Sequence, residues 1–220
     1  MRIGLISDVH GNLPALETVL DDMPPVEQVV CAGDVVGYNP WPRECLERVR
    51  ETCSVVVQGN HDRNVETPAR YEHNEMAHAG LQLAREELTD EQRDWLAALP
   101  PRDDVETYRL VHSHPDPEKL GRYVRPRQFS KLRPYLDEYD GLVLGHTHVQ
   151  HEAMVDGRLI VNPGSVGQPR DNDPRAAYAV LDTDTNEVEL RRVEYDIDRV
   201  ITRVEELGLP TRTGTRLLSG

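Results

Sequence analysis

The chain is poor in lysine, poor in cysteine and without long apolar runs. No stretch approaches the roughly 18 consecutive apolar residues that a membrane-spanning helix needs, so none is expected to span a membrane. The opening "MRIGLISDVHGN" does not read as a signal peptide, because its apolar run is short and Asp8 interrupts it. These features lead to the expectation of a cytoplasmic protein. The cysteines are three, Cys31, Cys45 and Cys53, an odd number without metal-type pairing. That argues against a disulfide framework and a thiolate zinc site and leaves them as small buried hydrophobes. Lysine occurs only at Lys119 and Lys131 among 25 basic residues, against 39 acidic ones, for a net charge of -14. So acidic a surface repels nucleic acid. Acid enrichment with so little lysine is also the composition expected of a protein working in molar salt, a halophilic source. Repeats and low-complexity segments are absent.

What is present alternates at first between strand and helix. "RIGLIS", "VEQVVCAGD" and "CSVVVQGN" read as buried strands, with helices over "LPALETVLDDM" (Asn12 as N-cap) and "PWPRECLERVRE" between them. This is the pattern of parallel α/β pairing. Residues from about 65 to 100 read as helical, with a Thr89/Gln92 capping box before "DEQRDWLAALP". A strand-rich stretch follows: "VETYRLVHSH", "GLVLGHTH", "HEAMVDG", "RLIVN", "AAYAVLD" and "EVELRRVEY". One helix near "PRQFSKLRPYLDEY" interrupts it, and Asp156-Gly157 and "TDTN" supply hairpin turns. "DIDRVITRVEEL" closes a single domain at about residue 207, leaving 208–220 as a loose tail. The expected fold is α/β (α+β), two sheets packed face to face with helices outside.

Side chains suited to metals gather at the ends of these strands. Asp8 and His10 follow the first, Asp34 the second, Asn60, His61 and Asp62 the third, His112 a later one, and His146 and His148 another. In open α/β sheets ligands bind beyond the carboxyl ends of strands. Asp8/His10 and His146/His148 are two apart, so in extended chain each pair projects to one side. Carboxylate, imidazole and amide without thiolate suit Mn²⁺, Fe or Zn²⁺. Ser165 has no activating base and is not read as a nucleophile.

Asp-x-His, Gly-Asp, Gly-Asn-His-Asp, a strand-ending His and Gly-His-x-His, in this order over residues 8–148, resemble the metallophosphoesterase (calcineurin-like phosphoesterase) superfamily. "NPGSVGQPRD" at 162–171 extends the likeness to its small prokaryotic phosphodiesterase branch. The resemblance implies a β-sandwich flanked by helices, αββα in layers. It implies two divalent ions, with Mn²⁺ favoured and Fe, Zn²⁺, Ni²⁺ or Co²⁺ as alternatives. Asp8, His10 and His148 would hold one ion and Asn60, His112 and His146 the other, with Asp34 bridging. A hydroxide between ions about 3.5–4 Å apart would attack phosphorus in line. His61 would stabilise the developing charge or protonate the leaving group, and Asp62 would orient His61 or cap a turn.

Arg170 is a candidate phosphate contact, or a surface ion pair. His114, two residues from His112, is a candidate competing ligand, substrate-side polar group or inert residue. Arg122, Arg125 and Arg127 form a basic patch that could receive an anionic substrate or be a solvated loop. The phosphoprotein phosphatases of this superfamily carry Asp-Arg-Gly shortly after the bridging aspartate. Here the segment reads "GDVVGYNPWP", which favours phosphodiester chemistry on a small phosphate ester. A phosphomonoesterase or phosphoprotein phosphatase is the alternative, ahead of a non-catalytic protein-binding scaffold or a nuclease.

Overall fold

The computed structural model describes residues 1–220. Two five-stranded sheets face each other. The first contains β1 (Arg2–Ile6), β2 (Gln28–Cys31), β3 (Cys53–Val56), β9 (Ala176–Asp182) and β10 (Glu187–Val193), in the order β10-β9-β1-β2-β3. The second contains β4 (Arg102–Val105), β5 (Tyr108–Val111), β6 (Gly141–Val143), β7 (His151–Val155) and β8 (Arg158–Asn162), in the order β4-β5-β6-β8-β7. β1, β2 and β3 are mutually parallel, as are β5, β6 and β8, while β4, β7, β9 and β10 run antiparallel to their neighbours. The layer between the sheets is apolar, with Ile3, Leu5, Val30, Tyr108, Leu110, Val143, Val161 and Leu181 among its members.

Helices cover the outer face of the first sheet. They are α1 (Leu13–Asp22), α2 (Pro42–Thr52), α3 (Asn60–Arg63), α4 (Glu75–Glu87), α5 (Asp90–Ala98), α6 (Ile197–Glu206) and α7 (Arg212–Thr215). Asn12 caps α1 by accepting from the Ala15 amide at 3.2 Å, and Thr89 and Gln92 form the expected capping box of α5. Leu16, Val19, Leu46, Val49, Leu81 and Leu96 are fully or almost fully buried here. The helix expected near 126–139 is instead a 3-10 run, Pro126–Tyr135. Pro134 within it lacks the amide that an α-helical turn would use. It seats Phe129 and Leu132 on the outer face of the second sheet.

One expectation is overturned. The chain after residue 207 is no loose tail: α7 and a 3-10 turn (Arg216–Leu218) fold back on α6 and bury Thr213, Gly214 and Leu217. Its polar composition hides this, because only two of its leucines, Leu209 and Leu217, pack on the helical-layer core.

Candidate metal centre

The carboxyl ends of β1, β2 and β3 and those of β5 and β6 deliver Asp8, Asp34, Asn60, His112 and His146 to a common edge of the sandwich. The backbone there is forced. Asp8, His10, Asp34, His146 and His148 have φ of 53°, 50°, 56°, 68° and 58°, in the left-handed region that non-glycine residues rarely adopt. Gly59 has no side chain because a Cβ there would collide with the Asp34 carboxylate.

Asp8 Oδ1 lies 3.2 Å from His148 Nε2 and 3.7 Å from His10 Nε2. His10 Nε2 is in turn 3.1 Å from His148 Nε2. Asp34 Oδ2 stands 3.7 Å from His10 Nε2 and 3.2 Å from His112 Nε2. Asn60 Oδ1 lies 3.2 Å from His112 Nε2, and its amide nitrogen donates to the Tyr71 hydroxyl at 2.6 Å, which turns the amide oxygen inward. Two donor groups result, Asp8/His10/His148 and Asp34/His112/His146, each with ligand atoms within 4.8 Å of one another. Asp34 faces both. A third such group joins His61 to His10 and Asp34.

The histidines fit a metal because of what their other nitrogens do. Nδ1 of His10, His112 and His148 pairs with the carbonyls of Val36 (3.1 Å), Ala32 (2.7 Å) and Gln168 (2.6 Å). A carbonyl only accepts, so Nδ1 carries a proton and Nε2 is the nitrogen turned toward the carboxylates. His146 is reversed, with Nε2 on the Gly121 carbonyl at 3.0 Å, leaving Nδ1 as its lone-pair nitrogen. Fixing the tautomer through the far nitrogen is how metal-binding histidines are oriented.

The electrostatics agree with close packing of ligands. Burial pushes Asp8 and Asp34 up, but the adjoining His148 and His112 outweigh it and hold both below the ordinary carboxylate range. Burial lowers His10 and His148 and takes His146 down to about 4. His112 is the exception, since burial is overcome by Asp34 and it rises to about 9.

His61 differs from these four. Its Nδ1 is buried without a partner and abuts Gly37, where a Cβ would collide with it. Burial lowers it to about 4, so it is neutral at pH 7.

Asp62 does not touch His61. Its carboxylate accepts the amides of Asp34 (2.8 Å), Val35 (2.8 Å), Val36 (3.3 Å) and Gly59 (2.9 Å). Of its two expected roles it takes the turn cap, clamping the loop that carries Asp34. Burial and the Asp34 charge push its carboxyl up to about 7, against the pull of those amides.

Of the three readings of His114, the position excludes the competing ligand. It turns away to accept the Asp116 amide at 3.1 Å and packs edge-on to Tyr135, outside every donor group. Arg170 does reach the rim, where it donates to Tyr38 Oη at 3.1 Å and to Gln168 Oε1. Ser165 donates to the Asp8 carbonyl at 2.7 Å, a loop brace.

Three aromatic residues were not foreseen. Tyr38 packs edge-on to His10 and tilted to His61, both at 4.8 Å between ring centres. Tyr71 lies against His61 at the same separation, and Tyr123 stacks on His146 at 4.2 Å and 13°. For Tyr38 alone a local signal existed, an aromatic directly after Gly37 in the loop carrying Asp34.

Comparison with known proteins agrees with this geometry. The family model described as the calcineurin-like phosphoesterase superfamily domain matches residues 1–186. The crystal structure of a metallophosphoesterase from Sphaerobacter thermophilus superposes with a TM-score of 0.88, at 35% identity over 100% of this chain and 99% of that one. An uncharacterized protein of Methanocaldococcus jannaschii is 31% identical over 99% of this chain and 98% of its own. Escherichia coli YfcE, named a phosphodiesterase, is 29% identical over 84% of this chain and 89% of its own.

Proposed function

Because the chain belongs to the calcineurin-like phosphoesterase superfamily and is a phosphoesterase hydrolase, we propose that its Asp, Asn and His cluster is a binuclear centre for phosphodiester hydrolysis. The carrying observation is that four histidines each tie one nitrogen to a backbone carbonyl while their rings gather around Asp8 and Asp34. Asp8, His10 and His148 would hold one divalent ion; Asn60, His112 and His146 the other; Asp34 both. Bound there, the ions would supply Lewis acidity toward phosphoryl oxygens and a hydroxide nucleophile at neutral pH. Nitrogen and oxygen donors accept several metals; Mn²⁺ is our first choice.

His61 then acts on the phosphoryl group directly. Neutral at pH 7, it donates a hydrogen bond to oxygen atoms that gain charge in the transition state. Arg170 at the rim adds a fixed positive charge. The carboxylate nearest to His61 in sequence, Asp62, is spent on backbone amides. No carboxylate–histidine relay assists protonation of a poor leaving group, which favours activated diesters, and the YfcE likeness points the same way.

The test is Asp34→Asn. The variant should keep its fold while bound metal and turnover of bis-p-nitrophenyl phosphate with Mn²⁺ fall at least about a thousandfold. Full activity in that variant would overturn the mechanism. The cytoplasmic setting and the halophilic origin remain part of this reading. A charge of -14 should make the fold more stable in 2 M than in 50 mM KCl, and equal melting temperatures would remove the halophilic element.

A further inference from the structure

One stretch reverses the charge of this chain. From Lys119 to Leu136 the sequence holds six basic residues, both lysines among them, and no acid. It is the longest acid-free stretch in a chain with 39 acids for 25 basic residues. Lys119 and Arg133 find acids outside it, Asp116 at 2.8 Å and Asp156 at 3.0 Å. Arg122, Arg125, Arg127 and Lys131 are exposed and reach no carboxylate within ion-pairing range.

The segment that carries these four is anchored. Val124, Phe129 and Leu132 are buried in the core outside the second sheet. The Gly121 amide donates to Ser113 Oγ at 2.8 Å, and the Arg125 amide to Gln128 Oε1 at 2.9 Å. Apolar side chains therefore fix the inner side of the segment, and the cations between them are presented to solvent.

The same segment begins on the metal-ligand cluster. The Gly121 carbonyl holds His146 Nε2 at 3.0 Å, and Tyr123 lies flat on the His146 ring, 4.2 Å between centres. The Arg125 guanidinium carbon stands 5.7 Å from the Tyr123 ring centre, within cation–π range. Arg125, Pro126 and Arg127 then line a shallow recess by themselves. From the ligand His146 to this recess the path is two contacts long. That span exceeds the single shared oxygen of a phosphate anhydride and leaves room for a sugar between two phosphates.

We propose that Arg125 and Arg127, with Arg122 beside them, receive a second phosphate of the substrate, separated from the scissile one by a sugar. The proposal rests on the phosphoesterase reading and narrows it to small diesters bearing a further phosphate. Guanidinium groups suit the task, because their planar forks pair with two phosphate oxygens at a time. Elsewhere the net charge of -14 repels such a substrate, so this ledge also sets the side from which it enters.

The experiment uses thymidine 5′-(p-nitrophenyl phosphate) with and without a 3′-phosphate, so that the scissile bond is the same in both esters. Wild type should prefer the doubly phosphorylated ester in kcat/KM by roughly tenfold, through KM, as expected for two exposed ion pairs. Arg125→Gln and Arg127→Gln should each reduce that preference roughly threefold, and the double variant should abolish it. Arg48→Gln, on the exposed face of α2, removes the same charge elsewhere and should leave the preference intact. A preference equal in wild type and double variant overturns the proposal, and so does an equal loss in Arg48→Gln. The preference should also shrink from 0.2 M to 2 M KCl; one that persists undiminished is not made by these exposed charges. Calorimetric titration with thymidine 3′,5′-bisphosphate separates this idea from the hydrolytic one. Binding roughly tenfold weaker in the double variant supports the ledge even if neither ester is hydrolysed. Equal binding by wild type and double variant refutes it whatever the turnover.

Discussion

The two sheets share a plan, three parallel strands with antiparallel neighbours, but their outer faces are covered very differently. The first lies under seven helices and a cluster of 26 buried apolar residues, the second under a proline-bounded 3-10 run and a cluster of eight. The contrast reaches the ligands. His10 leans on the Val36 carbonyl within the densely packed β2–α2 loop. His146 leans on Gly121, in a turn whose neighbour Tyr123 is 46% exposed. One half of the centre is thus braced by the core and the other by a surface turn. Local stability follows local burial, so the half built on His146 should be the more easily loosened.

Core truncation offers the strongest way to break this comparison. Leu46→Ala, on the buried face of α2, should cost about 3–5 kcal/mol of unfolding free energy, and Leu132→Ala, on the buried face of the 3-10 run, about 2–3 kcal/mol. Equal losses in denaturant titrations would mean that the thin layer is as tightly packed as the thick one.

Acidity acts in opposite directions on two histidines of the same half, His146 and His112, and on His61 beside them. In metal-free protein His61 and His146 titrate at about 4, against 6.5 when unfolded. Between these values the unfolded chain binds more protons, so stability falls as pH drops through that window. His112, raised to about 9, stabilises fully below 6.5, and its contribution is lost as pH rises toward 9. The metal-free protein should therefore be most stable near pH 6.5, and should lose more on the acid side, where two rings act, than on the alkaline side, where His112 acts alone. A flat profile from pH 5 to 8 would contradict the packing of these rings. The smallest effect belongs to Tyr123→Ala. It should weaken occupancy of the second metal by roughly three- to tenfold while barely moving the melting temperature. Metal titration against the Asp8 half as internal reference reads the difference.

Much of this molecule is visible in its sequence. Short apolar strands ending in Asp, Asn or His specify which edge carries the chemistry. Asn12, Thr89 and Gln92 mark helix starts because a cap is a local bond. What escapes is whatever depends on distant contacts. Tyr123 stacks on His146 only because the chain after β5 folds over the site. His114 has the same spacing from His112 that His10 has from Asp8, yet the backbone bends between them. Asp62 follows His61 directly, and only the fold shows that its oxygens serve other amides. The closing segment lacks apolar periodicity, so its anchorage through Leu217 is illegible without the groove that receives it.

The left-handed backbone at Asp8, His10, Asp34, His146 and His148 bears on how such a protein could be improved. Each of these residues holds a conformation that glycine would adopt more easily, at a cost of about 1 kcal/mol apiece. A search for thermostable variants that did not monitor catalysis would drift toward glycine at these five positions. It would gain melting temperature while dismantling the centre. The places where stability and activity pull apart in this chain can therefore be named in advance, and they are the positions to hold constant in any engineering of the scaffold.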